Sequence, residues 1–196
     1  TKEDFDESEL SWDFSCCSFV RNLSFSTLQS FFSAWLNESW QKTLRLMNYE
    51  TENNELLSVA YKLKDKIKTA PPIREITLRC NPYHRYGKDP EKRVSEQFDI
   101  GVELETRVKA DSIVEFLSYV VGCIMGRYSL DRPGLIYANA GNEGFDPTQY
   151  KTFPADDDGI VPVCDIDWFA DDATPRLVEF IKTVFGVETF DENLAW

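Results

Sequence analysis

The chain of 196 residues holds a single histidine, His84, and that scarcity removes whole classes of chemistry. Zinc sites built on two or more imidazoles are excluded. Ser–His–Asp or Cys–His catalysis would have to run through His84, and no G-x-S-x-G elbow accompanies it. Glycine and proline are missing from the first 70 residues; the first proline is Pro71 and the first glycine Gly87. No glycine-rich turn between a strand and a helix can therefore cradle a nucleotide-like cofactor in that stretch. The five cysteines (Cys16, Cys17, Cys80, Cys123, Cys164) are odd in number and form no C-x-x-C pair, which reads as ordinary reduced thiols. No run of 18 apolar residues and no N-terminal signal pattern occurs, and the chain opens on the acidic "TKEDFDESEL". The expectation is a soluble cytoplasmic protein with no membrane partner.

What is present is apolar and acidic. Hydrophobic residues make up 42% and aromatic residues 14%, enough for a packed core rather than wholesale disorder. The net charge of −13 disfavours a polyanionic partner, but it is unevenly spread. Residues 62–93 carry ten basic and four acidic side chains, whereas residues 131–196 carry four basic and fourteen acidic ones. One basic island thus lies between acidic flanks. It reads equally as a phosphate-backbone contact or as a solvated or interdomain salt-bridge surface.

The pattern is mainly α, as long amphipathic helices with an ordered, loop-rich wrap and minor strand content. From Ser26, the residues Leu28, Phe31, Phe32, Trp35, Leu36, Trp40, Leu44 and Met47 recur at helical spacing. A second set, Leu56, Leu57, Ala60, Leu63 and Ile67, follows Asn53-Asn54, so residues 1–70 are expected to form a helical hairpin or one long bent helix. Trp35 and Trp40 ask for more cover than a short domain readily offers, which points to a partner surface outside the chain. Pro71-Pro72 closes this region. Residues 71–196 are expected to form a mixed helical domain. "REITLRC" alternates as a short strand near 75–80. An apolar helix over 106–127 is expected to be buried on most sides, with Gly122 and Gly126 admitting a close-packed backbone. A wrap rich in glycine and proline follows, over 130–172. The last helix, near 175–186, is expected to start at a Thr174 cap with Pro175 in its first turn and to stop at Gly186.

Two motifs invite chemistry. Asn81-Pro82-Tyr83 looks like a clipped Asn-Pro-Pro-Tyr, the tetrapeptide with which aminomethyltransferases hold a flipped base, but it lacks the second proline. "NAGNEG" (139–144) has no βαβ pattern around it, so neither a catalytic nor a cofactor site is expected here. The run Asp156-Asp157-Asp158, with Asp165, Asp167, Asp171 and Asp172, does not keep EF-hand spacing and reads as a surface loop with capping aspartates rather than a metal site.

Longer strings carry a resemblance. "EITLRCNPYHRYG", "GCIMGRYSLDRPGLIYANAGNEGFDP" and "FPADDDGIVPVCDIDWFADD" resemble a middle-to-C-terminal portion of the PglX family, the adenine-specific DNA methyltransferases of type 1 BREX phage-defence systems. "TENNELLSVAYKLKDKI" resembles that family's "NN…YGLQDEL" segment, with Lys62 where a glycine is usual. The resemblance implies a large enzyme that uses S-adenosylmethionine to methylate adenine N6 in duplex DNA, with its catalytic and cofactor motifs N-terminal to the matched region. This chain would then be a connector contacting other domains of the same polypeptide and helping to clasp DNA. Arg79, Arg85, Lys88, Lys92 and Arg93 are the candidate phosphate contacts, and Tyr83 or Tyr86 the stacking groups. The alternative is an acidic interaction module that docks other BREX components.

Overall fold

The computed structural model describes residues 2–21, 26–63, 66–90, 100–139, 143–164, 169 and 172–196, and these are mainly α-helical. Seven helices are described: α1 (Lys2–Asp6), α2 (Ser18–Arg21), α3 (Leu28–Ala60), α4 (Pro82–Arg85), α5 (Val102–Ile124), α6 (Ala173–Phe185) and α7 (Phe190–Ala195), with 3-10 turns at Ile73–Glu75 and Pro147–Gln149. The chain divides into two compact units interleaved in sequence. The first comprises residues 3–5 and 33–109; the second comprises residues 6–32 and 110–196, with Lys2.

In the first unit, the periodic apolar stripe of α3 behaves as helical amphipathicity requires. Leu36, Trp40 and Leu44 are buried, and Trp40 lies 6.2 Å from the Tyr83 ring, so this tryptophan finds its cover within the chain. The helix runs through Asn53-Asn54 without a break as a single element of 33 residues. No strand occurs among the described residues, and the one expected near 75–80 is replaced by a turn and irregular backbone. The period-2 burial that suggested it is real. Ile76, Leu78 and Cys80 are buried against Trp35, Leu46 and Met47. A strand also needs a ladder partner for its peptide groups, and here side chains do that work. The Asp4 carboxylate accepts from Arg79 N (2.5 Å) and Cys80 N (2.9 Å), while the Asn81 amide donates to the carbonyls of Ile73 and Ile76, 2.8 Å each. Alternation reported burial correctly and hydrogen bonding wrongly.

The second unit is built on the later part of α5. That helix starts four residues before the expected Thr106 and is buried on one side only: Phe116, Tyr119, Val120, Cys123 and Ile124 face inward, while Val114, Leu117 and Val121 are exposed. Aromatic rings fill this core. Phe116 meets Phe19, Phe180 and Phe185 at centroid distances of 5.5 to 6.3 Å, and Tyr128 stacks on Tyr119 at 5.2 Å. Gly122 accommodates the Tyr128 side chain rather than a neighbouring backbone. Helix α6 is capped by Asp172, whose carboxylate accepts from Thr174 N at 3.0 Å, so the cap lies two residues before the expected Thr174. Gly186, at φ 89°, ends it as expected. The start of α3 belongs to this unit too, where Leu28 N donates to Asn193 Oδ1 of α7 at 2.8 Å.

Candidate nucleic-acid interface

The basic island folds around Asn81. Its side chain is fully buried, its amide nitrogen serves two carbonyls, and its Oδ1 accepts from Tyr83 N at 3.1 Å. Asn81 is thus the N-cap of α4, and Pro82 occupies the first helical position, where its missing N–H costs nothing. The sequence Asn-Pro-Tyr is here a helix-start signal. An adenine pocket needs an asparagine acceptor aimed at a base, and this acceptor is engaged by the backbone.

The candidate contacts are dispersed by burial. Tyr83 is buried beside Trp40, which withdraws it from base stacking, while Arg79 is half-buried above the Asp4 clip. Arg85 and Tyr86 are half-buried at the end of α4, with the Arg85 guanidinium 5.7 Å from the Tyr86 ring centre. Lys88 is exposed and pairs with Glu103 at 3.2 Å; Lys92 and Arg93 lie outside the described residues. The fold adds a residue that sequence reasoning missed. Arg107, one turn after Glu103 on α5, pairs with the same carboxylate at 3.3 Å and places its guanidinium 6.0 Å from the Tyr86 ring. The signal available was the Glu103/Arg107 spacing of four on a helix face. Arg74, at the other end of the segment, pairs with Asp89 at 2.8 Å, and the exposed His84 donates from Nδ1 to the Arg74 carbonyl at 3.0 Å.

Among the described residues, the Glu103 carboxylate links Lys88 to Arg107, and Arg85 and Arg107 flank the Tyr86 ring, which makes a cationic and aromatic surface. Exposed ion pairs of this kind contribute about 0–1 kcal/mol, so a phosphate can displace Glu103 from Lys88 and Arg107 at little cost.

Other candidate chemistry resolves into structure. Burial pushes the thiols of Cys17 and Cys123 up to about 12, which keeps both protonated and unreactive at neutral pH. Asp156 accepts from the N–H groups of Asp158 and Gly159, and Asp158 from that of Ile160. The described part of the acidic run thus caps its own loop; Asp165, Asp167 and Asp171 lie outside the described residues. No metal-ligating cluster occurs among the described residues. In "NAGNEG", residues 140–142 lie outside the described residues, and Gly144 sits in a turn at φ 80° with no strand beside it. A cavity of about 360 Å³ opens in the second unit beside Tyr119, with Arg21 and Arg132 among its lining residues. Arg21 lies 3.8 Å from Glu7, and Arg132 donates to Gln149 at 3.4 Å. None of the described helices is long and apolar enough to cross a membrane.

The chain is similar to adenine-specific methyltransferases. Over its whole length it is 40% identical to the adenine-specific methyltransferase BrxX of Escherichia coli O9:H4 (strain HS), matching 16% of that protein. It is 29% identical, again over its whole length, to 14% of the adenine-specific methyltransferase PglX of Lacticaseibacillus casei (strain Zhang). The chain thus spans about one sixth to one seventh of the curated relatives it matches. No family model matches it.

Proposed function

We propose that the chain is a non-catalytic helical connector within a BREX-type adenine-N6 DNA methyltransferase, and that it helps to clasp duplex DNA. In this reading S-adenosylmethionine and the target adenine are handled elsewhere in the same polypeptide, whose methylation marks host DNA in phage defence. The observation that carries it is similarity over the whole chain to a small fraction of two adenine-specific methyltransferases. The engagement of Asn81 as a helix cap supports the non-catalytic part, and the Arg85–Tyr86–Lys88–Arg107 surface supports the DNA part. Phosphate contacts fix the position of a protein on duplex DNA without reading its sequence, which is the role expected of a clasp.

The test uses the intact methyltransferase carrying Arg85→Gln together with Lys88→Gln. Duplex binding should weaken, and the slope of log K against log salt should fall by about 0.9 for each phosphate the variant no longer touches. An unchanged affinity and slope would remove the DNA role. The acidic second unit supports a competing reading, a docking surface for other BREX components, with Asp157, Asp158, Glu188, Asp191 and Glu192 all exposed. Co-purification of those components with the DNA-binding-competent protein, abolished on neutralising these acids, would favour it.

A further inference from the structure

Lys88 and Arg107 converge on one atom. Glu103 Oε1 lies 3.2 Å from the Lys88 ammonium and 3.3 Å from a terminal nitrogen of the Arg107 guanidinium. Both cations are delivered by fixed backbone. Arg107 stands one turn beyond Glu103 on α5, the spacing at which such side chains meet, and its guanidinium rests 6.0 Å from the Tyr86 ring centre. Lys88 follows Gly87, which is left-handed at φ 62° and closes the end of α4. There Gly87 N donates to His84 O at 3.3 Å and Lys88 N to Tyr83 O at 3.1 Å, so the lysine leaves a tied turn rather than a free loop.

An oxygen held between an ammonium and a guanidinium has the surroundings that a phosphate oxygen takes in charge-assisted recognition. All three side chains are exposed, so the carboxylate can swing away without disturbing the core. The same exposure decides where the phosphate comes from. An exposed ion contact shifts an equilibrium by at most about fivefold. Two of them fall short of the factor of about a thousand that even millimolar binding needs. Free phosphate or a nucleotide therefore gains too little here, whereas a backbone phosphate arrives with the other contacts of the duplex already made.

We propose, on the clasp reading, that Lys88 and Arg107 form a single subsite for one backbone phosphate of duplex DNA, and that Glu103 fills it in the free protein as a resident competitor. The two cations then make one phosphate contact, not two, and the carboxylate between them opposes binding. Counterion release makes the first point measurable, because the salt slope follows the number of phosphates neutralised and not the number of side chains that reach them.

The test follows duplex affinity of the intact methyltransferase as salt is varied. Lys88→Gln with Arg107→Gln should weaken binding and lower the slope by about 0.9, the value for one phosphate, where two separate contacts would lower it by about 1.8. Glu103→Gln should tighten binding about threefold to fivefold. The same substitution should do nothing once Lys88 and Arg107 are both glutamine, because no subsite is left to compete for. A slope that falls by about 1.8 overturns the shared subsite. A gain from Glu103→Gln that persists in the doubly substituted protein is general repulsion between an acid and DNA, and overturns the competitor role. If the double variant weakens binding while Glu103→Gln leaves it unchanged, the clasp reading stands and the competitor falls. If no variant moves affinity or slope, both fall together.

Discussion

The two long helices end in the same hydrogen-bond motif but with different residues at its tightest point. At the end of α3, Leu63 N donates to Ser58 O (2.7 Å) and Lys62 N to Val59 O (3.1 Å). At the end of α5, Arg127 N donates to Gly122 O (2.7 Å) and Gly126 N to Cys123 O (3.1 Å). Both are Schellman closures, which require a left-handed residue just past the helix. That residue is Gly126 at φ 74° on α5 and Lys62 at φ 57° on α3. A side chain in this conformation costs about 1–2 kcal/mol that glycine avoids. The chain beyond each cap differs as well. The carbonyls left over at the end of α5 are taken up by the wrap, Ile124 O by Asp156 N and Gly126 O by the Tyr150 hydroxyl. The end of α3 leads into a return segment that leaves Leu56, Val59 and Tyr61 outside. One helix end is locked by both backbone and packing; the other uses the same geometry with the wrong residue and little cover.

Exchanging the residues sharpens that contrast. Gly126→Lys should be the most damaging change, since a Cβ there meets the Phe145 ring at 3.0 Å in addition to the left-handed cost. A loss of about 3 kcal/mol is expected in urea denaturation, with the closure of the wrap over Tyr150 opening first. Gly122→Ala comes next. Its Cβ would lie 2.5 Å from the Tyr128 ring, which Tyr119 stacks at 5.2 Å and Phe14 meets edge-on at 5.3 Å, so the ring has nowhere to go. About 2 kcal/mol of destabilisation should appear in the same measurement. Lys62→Gly has the opposite sign: removing the strained side chain should stabilise the chain by about 1 kcal/mol, raising the thermal midpoint by a few degrees. A neutral or negative effect would mean that the Lys62 ammonium contributes more than its backbone costs.

Legibility in the sequence followed the same division. The stripe of α3, the apolar run of α5 and the Gly186 stop of α6 were readable because periodicity and glycine report local geometry directly. The Lys62 cap was visible only as a departure from the "NN…YGLQDEL" pattern, since nothing in a lysine itself signals φ 57°. The supposed strand at 75–80 failed because alternation records which side chains are buried, not what satisfies the peptide groups. Asp4, more than 70 residues away in sequence, supplies that partner. At the candidate interface, the basic count over residues 62–93 drew attention to Arg85 and Lys88 among five candidate cations, but not to which of them lie near the Tyr86 ring. It did not reach Arg107, because only the fold carries α5 to the Tyr86 ring.

The smallest effect tests how the wrap beyond α5 is tied down. The Asp131 carboxylate accepts from Lys151 N (2.7 Å), Thr152 N (2.9 Å) and the Thr152 hydroxyl (2.5 Å). Burial pushes its pKa upward, but these hydrogen bonds, the Thr152 hydroxyl foremost, outweigh that and hold it below the ordinary 3.8. A folded-state pKa below the unfolded one means the clip contributes fully above about pH 4 and fades as pH falls through the depressed value. Asp131→Asn should therefore lower stability slightly at neutral pH, by less than about 1 kcal/mol because the site is exposed and solvent-screened. The wild-type advantage should shrink as pH falls below 3.8, so the two denaturation midpoints converge in acid. An advantage that persists unchanged at about pH 2 would show that the ionised carboxylate is not what holds residues 151–152 in place.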